Sequence, residues 1–110
     1  MEEVSGYKLM WMMVMFDLPT STVKERKNYS IFRNALLDNG FSMSQYSVYF
    51  RFCGEKECCE KYVRMIKRYA PPEGDISILF FTDKQFGQII NIINREYGRM
   101  PDIPDQLVLF

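Results

Sequence analysis

The chain has 110 residues, 47% of them hydrophobic, and balances 14 Lys and Arg against 14 Asp and Glu for a formal net charge of zero. That length and apolar share fit one domain with a real core, and the neutral balance removes any global basic field that would draw the whole chain to a polyanion. It contains no histidine, which excludes a Ser-His-Asp triad, a Cys-His pair and a histidine general base, so any hydrolysis must rest on carboxylates and a metal ion.

The run Leu9–Phe16 is apolar throughout and leads straight into Asp17, with Pro19 two positions on. It is too short for a membrane span and reads as a strand buried on both faces. Pro19 stops the ladder and holds Leu18 extended, which puts Asp17 at the C-terminal end of the strand. A desolvated charge there costs on the order of several kcal/mol unless something compensates it. Two compensations are open: Asp17 caps the following turn, or it binds a cation.

Thr20-Ser21-Thr22 opens a helix with Thr22 and Glu25 in the capping-box spacing. Ile31, Phe32, Ala35 and Leu36 recur at helical spacing, and Gly40 suits the position just past the helix end. Residues 41–52 alternate, but the phase changes midway: Phe41 and Met43 share one parity, Tyr46, Val48, Phe50 and Phe52 the other. Two short strands, or one strand with a bulge near Ser44-Gln45, explain that slip. Gly54 breaks the pattern and Glu55 begins a second amphipathic helix, with Cys59, Tyr62, Val63, Ile66 and Tyr69 on one face. Residues 71–75 form a Pro- and Gly-bearing loop, and Ile76–Thr82 reads as a strand. Thr82 and Gln85 repeat the capping-box spacing, while Ile89, Ile90, Ile92 and Ile93 fit a helix or a strand. Two prolines make Met100–Asp105 a linker, and Leu107–Phe110 reads as a short terminal strand.

This order is the α+β, ferredoxin-like βαββαβ sandwich, with residues 1–94 as the domain and residues 95–110 as a C-terminal linker and extra strand. Two helices cover one face of a four-stranded sheet. The first strand is apolar on both sides, so its uncovered side predicts a homodimer packed sheet against sheet. If the Asp17 side is that face, two copies of Asp17 approach the symmetry axis and offer two carboxylates to one divalent cation. Cys53, Cys58 and Cys59 lack paired-ligand spacing and are expected as small core residues. No signal peptide, membrane span or lipidation motif is recognised, which gives a cytoplasmic expectation with no membrane partner.

The assembled residues resemble the CRISPR-associated protein two family, in the branch that accompanies the large RNA-guided effector nuclease. The matching pieces are Phe16-Asp17-Leu18-Pro19, then Glu25-Arg26-Lys27, Tyr29 and Phe32-Arg33 in the first helix, and Gly40-Phe41. Gln45-Tyr46-Ser47-Val48-Tyr49 and Thr82-Asp83-Lys84-Gln85-Phe86 follow in the right order. The resemblance implies a homodimer in which each terminal strand joins the partner's sheet, and a short turn and strand after Thr82. It implies a role in spacer acquisition for antiviral defence, association with the integrase of the same system (CRISPR-associated protein one), and binding of double-stranded DNA. It also implies a magnesium-dependent endonuclease acting on RNA or DNA, with Mn2+ as an alternative ion and the metal and catalytic role carried over to Asp17.

Two basic stripes complete the sequence reading. Arg26 and Arg33 share a helical face near Lys27, in a segment with four bases and one acid. These three are the phosphate-contact candidates. Lys61, Arg64 and Arg68 form a second stripe, but Glu57 and Glu60 beside them favour a merely solvated face. Three functions remain: a metal-dependent phosphodiesterase centred on Asp17, a non-catalytic dimeric scaffold bridging integrase subunits, and a small ligand-binding or RNA-binding module. The last is weakest, because neither a Gly-rich ligand loop nor an aromatic RNA platform motif is present.

Overall fold

A computed structural model describes residues 9–92. The elements run β1 (Met10–Asp17), α1 (Val23–Asp38), β2 (Ser42–Gln45), β3 (Val48–Gly54), α2 (Lys56–Tyr69), β4 (Asp75–Thr82) and α3 (Asp83–Phe86). The strands form one sheet in the order β2-β3-β1-β4, with every neighbouring pair antiparallel. This is the expected ferredoxin-like arrangement, and it makes β1 an interior strand flanked on both edges.

Local chemistry sets the element ends as the sequence predicts. Thr22 Oγ1 accepts from the Glu25 amide at 3.1 Å, and Glu25 Oε1 accepts from the Thr22 amide at 3.0 Å and the Ser21 amide at 2.9 Å. Such a cap is worth about 1 kcal/mol. Thr82 and Gln85 repeat it at the start of α3. The parity slip in 41–52 has both of its expected causes: β2 and β3 are separate strands, and their register shifts between Met43 and Gln45. Ser47 in the turn between them has φ 64, and its carbonyl accepts from the Phe16 amide at 3.0 Å. The turn is thereby fastened to the C-terminal end of β1.

Alternation along β1 divides the molecule. Met12, Val14 and Phe16 are buried beneath the two long helices, packed with Phe32 and Leu36 of α1, Tyr49 of β3, and Tyr62 and Ile66 of α2. Burying each such side chain contributes roughly 1.5–3 kcal/mol. Trp11, Met13, Met15 and Asp17 point to the opposite face. Within one chain, then, β1 is buried on one face only, and Met15 remains 42% exposed. α3 covers one end of this open face: Phe86 stacks on Trp11 with ring centroids 3.9 Å apart, and Trp11 Nε1 donates to Asp83 Oδ1 at 2.7 Å. Met13 and Met15 remain beside Val48, Phe50 and Leu79, which the pairing registers place on the same face.

Several expectations need correction. β4 starts at Asp75, one residue earlier than the apolar run suggests. Tyr69 is 41% exposed, because it lies at the last turn of α2, beyond the sheet that covers Tyr62 and Ile66. Residues 89–92 adopt neither helix nor strand. The predicted linker and terminal strand lie outside the described residues. Among the described residues, no helix is long and apolar enough to cross a membrane.

Cys53 and Cys59 are buried, whereas Cys58 is exposed. A helix turns about 100° per residue, so adjacent cysteines on α2 cannot both face the core. Burial pushes the Cys53 thiol up from 9.0 to about 12, with Cys59 reinforcing the shift. The folded state therefore favours the protonated thiol, a stabilisation complete below pH 9 and lost as pH rises toward 12. Thermal melts in reductant should show wild-type stability falling more steeply above pH 9 than that of Cys53→Ala. Equal slopes would show that the thiol does not titrate differently on unfolding.

Candidate active site

Asp17 is the last residue of β1 and pairs directly with Asp75, the first residue of β4. Residues directly opposite in an antiparallel ladder share a face, with Cβ atoms about 4.5–5.5 Å apart. Two exposed carboxylates thus stand side by side on the open face. Neither side chain has a hydrogen-bond or ion-pair partner among the described residues. The turn after β1 is capped by Thr22 and Glu25 instead, so the capping role for Asp17 is not used. Nor does Asp17 incur the desolvation cost of a buried charge within one chain.

The close approach of two loops holds this pair. Gly74 has φ +98, and a Cβ built on it would lie 2.8 Å from the Asp17 carbonyl oxygen and 2.6 Å from Leu18 Cδ2. Only glycine brings the start of β4 this near the end of β1 without strain. Asp75 is the site residue that sequence reasoning missed. Its signal was available: Asp75 is in phase with Ser77, Leu79 and Phe81, which the register sets on the open face beside Met15, Met13 and Trp11.

The donor set suits a hard divalent cation, which takes oxygen ligands and tolerates waters in its shell. Among the described residues, no group of three or more Asp, Glu, Cys or His side chains converges on one point. One chain therefore offers a carboxylate pair, and an ion held there would need its further ligands from outside the described residues.

The predicted phosphate contacts lie elsewhere. Arg26 Nη1 donates to the carbonyls of Thr20 at 3.0 Å and Ser21 at 3.2 Å, which ties it to the loop after β1. Arg33 Nε donates to the Tyr49 hydroxyl at 3.1 Å. Lys27 is exposed and has no partner among the described residues. All three are on α1, across the sheet from the carboxylate pair. A cleft of about 250 Å³ opens at the same end of the molecule, lined by Leu18, Pro19, Lys24, Asn28, Tyr29 and Pro71 among others, but not by Asp17. The carboxylates therefore face an open surface, an arrangement suited to a polymer rather than to an enclosed small molecule.

Residues 10–89 match the sequence family described as CRISPR associated protein Cas2. A CRISPR-associated endoribonuclease Cas2 of Paracidovorax avenae is 47% identical over 107 residues, covering 97% of this chain and 99% of its own. Those of Flavobacterium psychrophilum and Parvibaculum lavamentivorans are 46% and 44% identical, covering 94% and 92% of this chain and 89% and 100% of their own. With the match running from β1 past α3 and the relatives aligned over most of both chains, the protein belongs to the CRISPR-associated protein Cas2 family.

Proposed function

We propose that the protein is a divalent-cation-dependent endoribonuclease that works as a homodimer, with Asp17 as the residue that holds the ion. The observation carrying this reading is the unpartnered Asp17 carboxylate beside Asp75 on the open sheet face. The endoribonuclease names of the relatives support RNA as the substrate. Asp17 and Asp75 would hold Mg2+ or Mn2+, and such an ion supplies a water of lowered pKa and stabilises charge on the phosphoryl oxygens. The chain's own contribution is to fix the two carboxylates through the β1–β4 register and to present them on a surface that an extended strand can cross. Hydrolysis adds water at phosphorus and breaks one phosphoester bond, leaving a phosphate monoester and a hydroxyl. Cleavage of a single-stranded RNA by wild type and Asp17→Asn in matched magnesium tests the proposal; the variant should be inactive.

The dimer is part of the same reading. Met13, Met15, Val48, Phe50 and Leu79 leave an apolar surface that a second sheet would cover. Covering it would carry the partner's Asp17 toward this one. Light scattering should return twice the 13.1 kDa chain mass, and Met15→Arg should shift the mass to that of one chain. A wild type of single-chain mass at micromolar concentration would contradict the shared site.

A second reading is favoured by the separation of the basic residues from the carboxylates. In it the dimer serves spacer acquisition as a scaffold, holding double-stranded DNA beside the integrase of the system. The two readings are compatible, and loss of cleavage in Asp17→Asn with unchanged DNA binding would separate them.

A further inference from the structure

The turn between β2 and β3 consists of Tyr46 and Ser47, and it is held from three sides. Gln45 pairs with Val48 across its base. The Ser47 carbonyl accepts from the Phe16 amide at 3.0 Å, and the hydroxyls of Ser47 and Tyr29 share a hydrogen bond at 3.2 Å. Ser47 itself has φ 64, a left-handed backbone that a residue with a Cβ keeps only where its surroundings enforce it. The turn is a fixed mount.

What it mounts is the ring of Tyr46. That side chain is 88% exposed, whereas the other exposed aromatic side chains among the described residues, Phe52, Tyr69 and Phe80, lie between 39% and 44%. Tyr46 has no ring contact, hydrogen bond or ion pair among the described residues, so packing within one chain does not account for it. Its position does suggest a use. The β1–β3 register sets Met15 opposite Val48. Continued by one residue it puts Ser47 opposite Phe16, in keeping with their backbone hydrogen bond, and the next step brings Tyr46 to the flank of Asp17. Asp75 of β4 stands on the other flank. Neighbouring strands are about 4.7–4.9 Å apart. A free aromatic ring and two carboxylates therefore share one end of the sheet, close enough to meet adjacent parts of one nucleic-acid strand.

We infer that Tyr46 is a stacking platform for an unpaired base of the single-stranded RNA whose phosphate is held at Asp17. The inference rests on the endoribonuclease reading and adds to it a residue that positions the substrate. Charge explains the need for such a group. Two carboxylates repel a phosphodiester until an ion joins them, whereas stacking on a neutral ring takes no part in that repulsion. Every base offers a π-face, so the contact would hold RNA of any sequence. It also selects a single strand, because only an unstacked base can be splayed out onto an aromatic side chain.

The test compares wild type, Tyr46→Ala and Tyr46→Phe in binding a labelled single-stranded RNA and an abasic strand of equal length. Fluorescence anisotropy would follow binding at low salt, in chelator. Tyr46→Ala should bind the RNA roughly 5- to 150-fold more weakly, the range for losing one stacked base. Tyr46→Phe keeps the ring and should bind within about twofold of wild type. The abasic strand has no base to stack, so the alanine change should not weaken its binding further, and the two losses should not add. In magnesium, Tyr46→Ala should raise KM for cleavage by a similar factor and leave kcat nearly unchanged. A folded, dimeric Tyr46→Ala protein with wild-type affinity and KM overturns the inference. So does a Tyr46→Phe protein as weak as the alanine variant, which would assign the contact to the hydroxyl. Equal loss on the abasic strand, or a wild type that does not bind single-stranded RNA, overturns it too. If Tyr46→Ala falls to the mass of one chain in light scattering, the ring serves the dimer and the inference fails. Magnesium-dependent cleavage that the alanine change leaves untouched would keep the metal-site reading and remove this one. Ring-dependent binding by a wild type that cuts nothing would remove the metal-site reading and leave the platform standing.

Discussion

Asp17→Asn should leave the protein folded and dimeric while lowering RNA cleavage by at least ~100-fold, about 2.7 kcal/mol of transition-state stabilisation. The substitution keeps the size of the side chain and one neutral oxygen, but removes the charge that a hard cation requires. Folding should be indifferent to it, because the Asp17 side chain is exposed and makes no hydrogen bond among the described residues. Asp75→Asn should cost less, roughly tenfold, since the paired carboxylate retains its charge. Both changes should appear in kcat/KM at saturating magnesium, with circular dichroism unchanged. An Asp17→Asn protein that cuts as fast as wild type would place the activity elsewhere. One that fails to fold would show a structural duty for Asp17 that its exposed position does not predict.

Gly74→Ala should destabilise the fold by about 2–4 kcal/mol and depress activity with it. The left-handed backbone at φ +98 costs a residue with a Cβ on the order of 1–3 kcal/mol. The added Cβ also meets the Asp17 carbonyl oxygen at 2.8 Å and Leu18 Cα at 3.0 Å, and these are backbone atoms that cannot swing aside. The expected drop in melting temperature is about 10 °C or more. The substitution pushes apart the strand ends that carry Asp17 and Asp75, so the residual folded protein should also cleave more slowly. Wild-type melting and activity in Gly74→Ala would mean that the β1–β4 junction relaxes freely and that the close approach has no part in positioning the carboxylates.

The elements most legible in the sequence were those fixed by local chemistry. Thr22 with Glu25 and Thr82 with Gln85 announce their helices through side chain to backbone hydrogen bonds only three residues long. The unbroken apolar run of β1 reveals an interior strand with apolar side chains on both faces, though it could not show that α3 folds Phe86 over Trp11 at one end. Pairing between distant segments was the harder part. Asp75 looked like a loop residue because Pro71, Pro72 and Gly74 precede it, and only the β1–β4 register reveals that it stands opposite Asp17. The surroundings of the basic residues are likewise set by contacts between distant segments. Along α2, Glu57 and Glu60 stand beside the stripe, and only the folded chain shows that the loop after α2 shares a cleft with Lys24 and Glu25 of α1 through Pro71, Pro72 and Glu73. Arg26, a phosphate-contact candidate in the sequence, spends one nitrogen on the loop carbonyls of Thr20 and Ser21.

The most direct test of the metal-dependent nuclease is a magnesium titration of RNA cleavage by the purified wild-type chain, begun in chelator. Cleavage should be absent at the start, should rise to saturation as Mg2+ is added, and should recover with Mn2+ after the magnesium is withdrawn. Cleavage that proceeds equally in chelator, or a folded dimer that cuts no RNA at any concentration of either ion, would contradict the account.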